Sequence, residues 1–307
     1  MILAGRRCLV TGANQGLGLA IARAYAAQGA DVCLCARDAQ KLAAAREAIE
    51  AVSHGRVLAQ TADIAEPAQL DKVIRRMTDE WGGLDVAVCN AGIYGPKGRI
   101  EDVDWEEFAD AIRINLLGTV LTCRAVIPAM KAARAGKIII ISGGGATKPM
   151  PYMSAYAASK AGVVRFAETL AEELAEFGID VNSVAPGALN TRLLDEVLAA
   201  GPEKVGAAFY QASLRQQETG GDSLDLAADL CVWLASAASK GLTGRLLSAK
   251  WDPWRDLGTR AAELKKSDIY TLRRIVPADR GQAWGDAPPA KALGGKPPVG
   301  KTPGGAG

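Results

Sequence analysis

Along the first 250 positions, apolar residues come in short continuous runs, and stretches of helical character separate them. The runs are RRCLVTG (6–12), DVCLCA (31–36), RVLAQTA (56–62), LDVAVCNAG (84–92), KIIIIS (137–142), DVNSVAP (180–186) and GRLLSA (244–249). Most are continuous rather than alternating, the pattern of strands buried on both faces. LGLAIARAYAAQG, AQKLAAAREAIEAV and PAQLDKVIRRMTDEW are the helical stretches between the early runs. Pro67 near the start of the third, and Asp104 followed by Glu107 before another, are helix-start signals. Strict alternation of strand and helix predicts an α/β fold with a doubly wound parallel sheet of about seven strands and helices on both faces.

The rhythm stops near residue 250. Residues 251–284 retain some helical propensity but no strand pattern, and are expected to form a partly helical extension to a 1–250 domain. Trp251 and Trp254 in this stretch suit packing against the domain, the wall of a substrate pocket or a subunit contact. Residues 285–307 hold seven Gly and five Pro and almost nothing large, so a disordered tail is expected.

Composition narrows the chemistry. The chain has 307 residues, 49% hydrophobic and 23% charged, with a net charge of +2. That balance argues against nucleic-acid binding and against a membrane-seeking polycation. No window approaches the roughly 18–20 uninterrupted apolar residues of a membrane span. Arginines at Arg6 and Arg7 stand where a signal peptide needs an apolar core, so a cytoplasmic protein is expected. The six cysteines include no C-x-x-C pair, and the single histidine, His54, lies in a loop-like stretch, so no metal site is predicted.

Directly after the first strand, Thr11-Gly12-Ala13-Asn14-Gln15-Gly16-Leu17-Gly18 opens a helix. Such glycines let the backbone approach a pyrophosphate, whose charge is favoured at a helix N-terminus. The spacing differs from the common G-x-G-x-x-G loop, but the position after strand one of a complete βαβ unit supports a dinucleotide. The second strand ends in Ala36-Arg37-Asp38. Ala36 cannot accept a ribose hydroxyl, Arg37 can pair with a 2′-phosphate, and Asp38 is read as a helix N-cap. NADP(H) is therefore expected over NAD(H), with NAD(H) still open. Tyr156 and Lys160 stand four apart in SAYAASKAGVVRFAETLAEEL, on one helical face. A lysine beside a phenol is expected to lower its pKa, as a general acid/base requires.

Taken together over residues 5–249, these features resemble the short-chain dehydrogenase/reductase family in its short, single-domain, Rossmann-type form. TGANQGLG matches its glycine loop, covering Gly12, Asn14, Gln15, Gly16, Leu17 and Gly18. Asp63, followed by Ile64, matches its adenine-contacting Asp, and Asn90-Ala91-Gly92 matches its NAG motif. Asn115, Tyr156 with Lys160, and Pro186-Gly187 with Thr191 complete the set. The resemblance implies that Tyr156 exchanges a proton with the substrate oxygen. Lys160 would hold the nicotinamide ribose, Asn115 would organise a relay water, and Pro186 to Thr191 would lie against the nicotinamide. It also implies a homodimer or homotetramer joined through the helices around Asn115 and YAASK.

One position departs from the family. Its catalytic serine lies 13 residues before the tyrosine, where this chain has Gly143; Ser142 is one residue early. A one-residue shift on a strand turns a side chain to the opposite face. A bulge at Gly143–Gly145 could re-aim Ser142, which ranks first; Thr147, Tyr152 or Ser154 could substitute; or Tyr156 could act alone. The C-terminal strand also lacks the family's V-D-G-G ending. Residues 188–222 read as a polar, mixed substrate lid. The expected function is an NADP(H)-dependent oxidoreductase interconverting a carbonyl and a secondary alcohol. A catalytically impaired dinucleotide sensor or scaffold is the alternative, and a sugar-modifying epimerase or dehydratase a more distant one.

Overall fold

Seven apolar runs become seven strands because each can hide both of its faces. A computed structural model describes residues 1–284; the expected tail, 285–307, lies outside them. The strands are β1 (Arg7–Thr11), β2 (Asp31–Ala36), β3 (Val57–Thr61), β4 (Val86–Cys89), β5 (Gly136–Ile141), β6 (Ile179–Ala185) and β7 (Arg245–Ser248). They form one sheet in the order β3-β2-β1-β4-β5-β6-β7, with every neighbouring pair parallel. The observed strands fall inside the runs read from the sequence, or within one residue of them.

The connecting helices are α1 (Gly16–Ala27), α2 (Ala39–Glu50), α3 (Pro67–Trp81), α4 (Trp105–Ile112), α5 (Gly118–Ala133) and α6 (Ser154–Leu174). After β6 come α7 (Arg192–Ala200), α8 (Pro202–Val205), α9 (Ala207–Thr219) and α10 (Leu224–Ala235). Alternate strand residues feed two cores. Val10, Val32, Leu34, Ile139 and Ile141 pack with Ile21, Leu42 and Leu230 beneath α1, α2 and α10. Leu9, Cys33, Ile138 and Ile140 pack with Val73, Met77, Val126 and Val163 beneath α3, α5 and α6. Each large aliphatic side chain buried this way contributes about 1.5–3 kcal/mol, which is why continuous apolar runs suit strands covered on both sides. Asp104 accepts from Glu107 N at 2.9 Å, and Pro67 opens α3 at its first turn, as expected of helix starts.

Residues Trp105–Ala133 form a continuous helical run long and apolar enough, by length and composition, to cross a membrane. In this fold α5 packs against α3 and the sheet, with Cys123, Val126 and Met130 fully buried. The segment after β7 packs on the sheet's edge. Trp254 is buried against Trp233, ring centroids 5.9 Å apart, and donates from Nε1 to Ala249 O at 3.0 Å. Leu246 N, on the outer edge of β7, donates to Tyr270 O at 2.8 Å, and Ser248 N to Asp252 Oδ2 at 2.7 Å. These bonds occupy donors that an edge strand otherwise leaves open. Of the three settings open to the Trp pair, Trp254 takes the first, while Trp251 is exposed.

Candidate active site

The strand order reverses between β1 and β4, where chains leave the sheet toward opposite faces and open a crevice at the carboxyl ends. A cleft of about 860 Å³ lies there. Its walls include every position expected to touch the cofactor, from Gly12 and Asn14–Gly18 through Arg37, Asp63, Ile64 and Asn90–Gly92 to Pro186, Gly187 and Thr191. Tyr156, Lys160 and Ser142 also line it.

The glycine loop is pinned from both sides. Asn90 Nδ2 donates to Thr11 O at 2.9 Å and Gly12 O at 3.3 Å, while Asn90 N donates to Thr11 Oγ1 at 3.0 Å. At Gly18 a Cβ would sit 2.2 Å from Gly12 O and 2.5 Å from Asn90 Nδ2, so only glycine lets α1 start this close to the loop. Gln15 precedes α1 without giving it a side-chain cap, leaving the first-turn N–H groups, beside the cleft, without a side-chain acceptor from it. A tight backbone cradle at a helix N-terminus fits a dinucleotide pyrophosphate. At the end of β2, Ala36 is buried and Arg37 is largely exposed, its Nη1 3.7 Å from Asp63 Oδ2. Asp38 accepts from Lys41 N at 3.0 Å and so caps α2 as read from the sequence. Lys41 lines the same end of the cleft and adds a second cation that the sequence reading passed over; its place three residues past an N-cap aspartate was the available signal.

Tyr156 and Lys160 rise from the first turns of α6 and are both buried. Lys160 Nζ donates to Ile141 O at 2.8 Å and stands 5.7 Å from the Tyr156 ring centroid. Burial lowers the Lys160 ammonium to about 8. The Tyr156 phenol is pushed well above its ordinary value, first by burial and then by the neighbouring Tyr94. The lysine was expected to lower the phenol; instead burial acts against the charged form of both groups. Asn115 sits in a single π-helical turn (Arg113–Leu117) between α4 and α5, a local widening common at functional sites. Its amide donates to Ile93 O at 2.8 Å and Ser159 Oγ at 2.9 Å, and its carbonyl accepts from Ile93 N at 2.8 Å. Asn115 thereby ties the loop after β4 to α6 and does not itself line the cleft.

Strand register bears on which way Ser142 points. The β5–β6 ladder runs regularly through Ile141↔Val184, and Ser142 N continues it by donating to Val184 O at 2.8 Å. No bulge intervenes, so Ser142 keeps the orientation of its strand position, and its hydroxyl faces Lys160 O at 3.4 Å. Gly143, in extended backbone, holds the face toward the phenol: a Cβ there would lie 2.6 Å from the Tyr156 hydroxyl oxygen. Thr147 and Ser154 are exposed, and Tyr152 stacks beneath Gly206 at a left-handed φ of 68°. None of these three lines the cleft.

The segment read as a polar lid shows an apolar inner surface. Val197 and Val205 pack with Met153 and Tyr156, joined by Tyr94, Met150, Phe209 and Tyr210. Tyr94 was not singled out in the sequence; it stands two residues past Gly92, with its ring edge-on to Tyr156, centroids 4.6 Å apart and planes at 78°.

Comparison with known proteins agrees with this geometry. The short chain dehydrogenase family model matches residues 6–200. Glucose 1-dehydrogenase of Gluconobacter oxydans is 36% identical over 249 residues, 80% of this chain and 90% of the relative. An uncharacterized NAD-dependent oxidoreductase of Mycobacterium tuberculosis is 33% identical over 258 residues, covering 79% and 93%. Among solved structures, gluconate 5-dehydrogenase of Burkholderia cenocepacia, in complex with NADP and tartrate, superposes with a TM-score of 0.70 at 30% identity, covering 80% of this chain and 94% of that one.

Proposed function

Because the chain belongs to the short-chain dehydrogenase family, oxidoreductases of alcohol and carbonyl groups, we propose that it uses NADP(H) to interconvert a secondary alcohol and its carbonyl, with Tyr156 as acid/base. The observation that carries this reading is Tyr156 on the cleft wall, on the same helical face as Lys160 and beside the loop held by Asn115. A bound nicotinamide supplies hydride to the substrate carbon or takes it away. Tyr156 gives its phenolic proton to the carbonyl oxygen during reduction and takes it back during oxidation. The raised phenol stays protonated through the neutral range, the form that a carbonyl oxygen meets during reduction. Lys160, on the cleft wall, holds the Ile141 carbonyl, and Asn115 acts as a positioning residue.

Preference for the phosphorylated dinucleotide rests on Ala36, which offers no acceptor to a ribose hydroxyl, and on Arg37 and Lys41 beside it. The 3.7 Å Arg37–Asp63 contact is long and exposed, so it costs little to exchange for a phosphate. The similarities divide on this point, one relative being named NAD-dependent and one structure holding NADP.

The test is a substrate panel run in both directions: NADPH with cyclohexanone, acetophenone and aliphatic aldehydes, and NADP⁺ with secondary alcohols and D-glucose. At least one member turns over, and Tyr156→Phe lowers that kcat by about 10³-fold. Tight NADPH binding with no turnover across the panel would instead favour the sensor reading, which the bare Gly143 face supports.

A further inference from the structure

Among the described residues no serine hydroxyl is directed at the Tyr156 phenol, which leaves the substrate oxygen short of a second donor. Gly143 contributes no side chain there, and Ser142 is turned to the Lys160 carbonyl. Among the described residues one other hydroxyl-bearing side chain is in ring contact with Tyr156, that of Tyr94, edge-on at 4.6 Å and on the wall of the same cleft. Its backbone position is well determined, because Asn115 binds both the N–H and the C=O of the preceding Ile93. Its ring also lies 5.7 Å beneath Lys97 Nζ, whose partner Glu196 sits 3.4 Å away on α7. The ring is thus held between the α6 helix and the lid.

We propose that the Tyr94 phenol is the second hydroxyl of the site, donating a hydrogen bond to the substrate oxygen beside Tyr156 and so taking over the role left vacant at Gly143. The proton that moves remains that of Tyr156; Tyr94 forms a hydrogen bond and keeps its own proton. Burial, with Glu196 second, holds the Tyr94 phenol up at about 12, so it is a donor throughout the neutral range. An aligned donor to a developing oxyanion is worth about 10²–10³ in kcat.

This inference rests on the oxidoreductase reading above, and Tyr94→Phe tests it separately. The variant keeps the ring contact with Tyr156 and removes only the hydroxyl. With NADPH and whichever panel ketone the native chain reduces fastest, kcat is expected to fall about 10²-fold. NADPH affinity, followed by nicotinamide fluorescence, should stay within about twofold, since Tyr94 is an addition to the substrate end. A Phe variant within about threefold of the native kcat would overturn the proposal while leaving the Tyr156 reading intact. Loss of NADPH binding in that variant would also overturn it, by assigning Tyr94 to the framework of the cleft. Absence of turnover in the native chain, or full activity in Tyr156→Phe, would overturn both readings.

Discussion

The two ends of the cleft are held by different means. At the dinucleotide end the working surface is backbone: a glycine loop, the uncapped first turn of α1, and Asn90 bonded to Thr11 and Gly12. At the carbonyl end it is side chains, and what matters is the direction each points: Ser142 to the Lys160 carbonyl and Tyr94 against the ring of Tyr156, with Gly143 bare beside the phenol. A backbone surface depends on which residues lack bulk and on their order along the chain. A side-chain surface depends on strand register and on contacts between distant loops.

Three substitutions sharpen or break that contrast. Gly18→Ala adds a Cβ 2.2 Å from Gly12 O and pushes α1 off the loop. It should lower kcat/KM for NADPH by about 100-fold, as misplacement by an ångström can; near-native values would show that the cradle is not closely packed. Arg37→Ala removes the cation at the end of β2 and should weaken NADPH about 10-fold in fluorescence titration with little change for NADH. Equal losses for both cofactors would remove the case for a 2′-phosphate site. Ser142→Ala has the smallest expected effect, a loss in kcat below about threefold, with a small fall in Tm, since the contact to Lys160 O is long at 3.4 Å. A loss near 10²-fold would return the serine to the site and erase the difference between the two ends.

Much of the framework is legible in the chain because it follows from local chemistry. Continuous apolar runs predict strands covered on both faces, and β5, with Ile138–Ile141 packed alternately on both cores, is what such a run becomes. Asp38 and Asp104 cap the helices expected of them, because capping involves residues three apart. Tyr156 and Lys160 share a face because they share a helix. The pKa ordering was not legible in the same way. A neighbouring lysine suggests a lowered phenol, but the sequence does not show how deeply both groups are buried, and burial raises Tyr156 and lowers Lys160. Nor does it show that the lid, polar when read along the chain, presents Val197 and Val205 inward.

What the order of residues determined by itself is the doubly wound sheet, the glycine loop at its switch point and the tyrosine–lysine pair, since each rests on spacings within a single element or on the alternation of elements. What only the tertiary structure decided is the carbonyl corner. A strand register settled by β6 turns Ser142 away and bares Gly143, and a loop held by Asn115, 22 residues along the chain, carries Tyr94 to the phenol. Distances between side chains on different elements exist only once the sheet has set the register, so no motif records them.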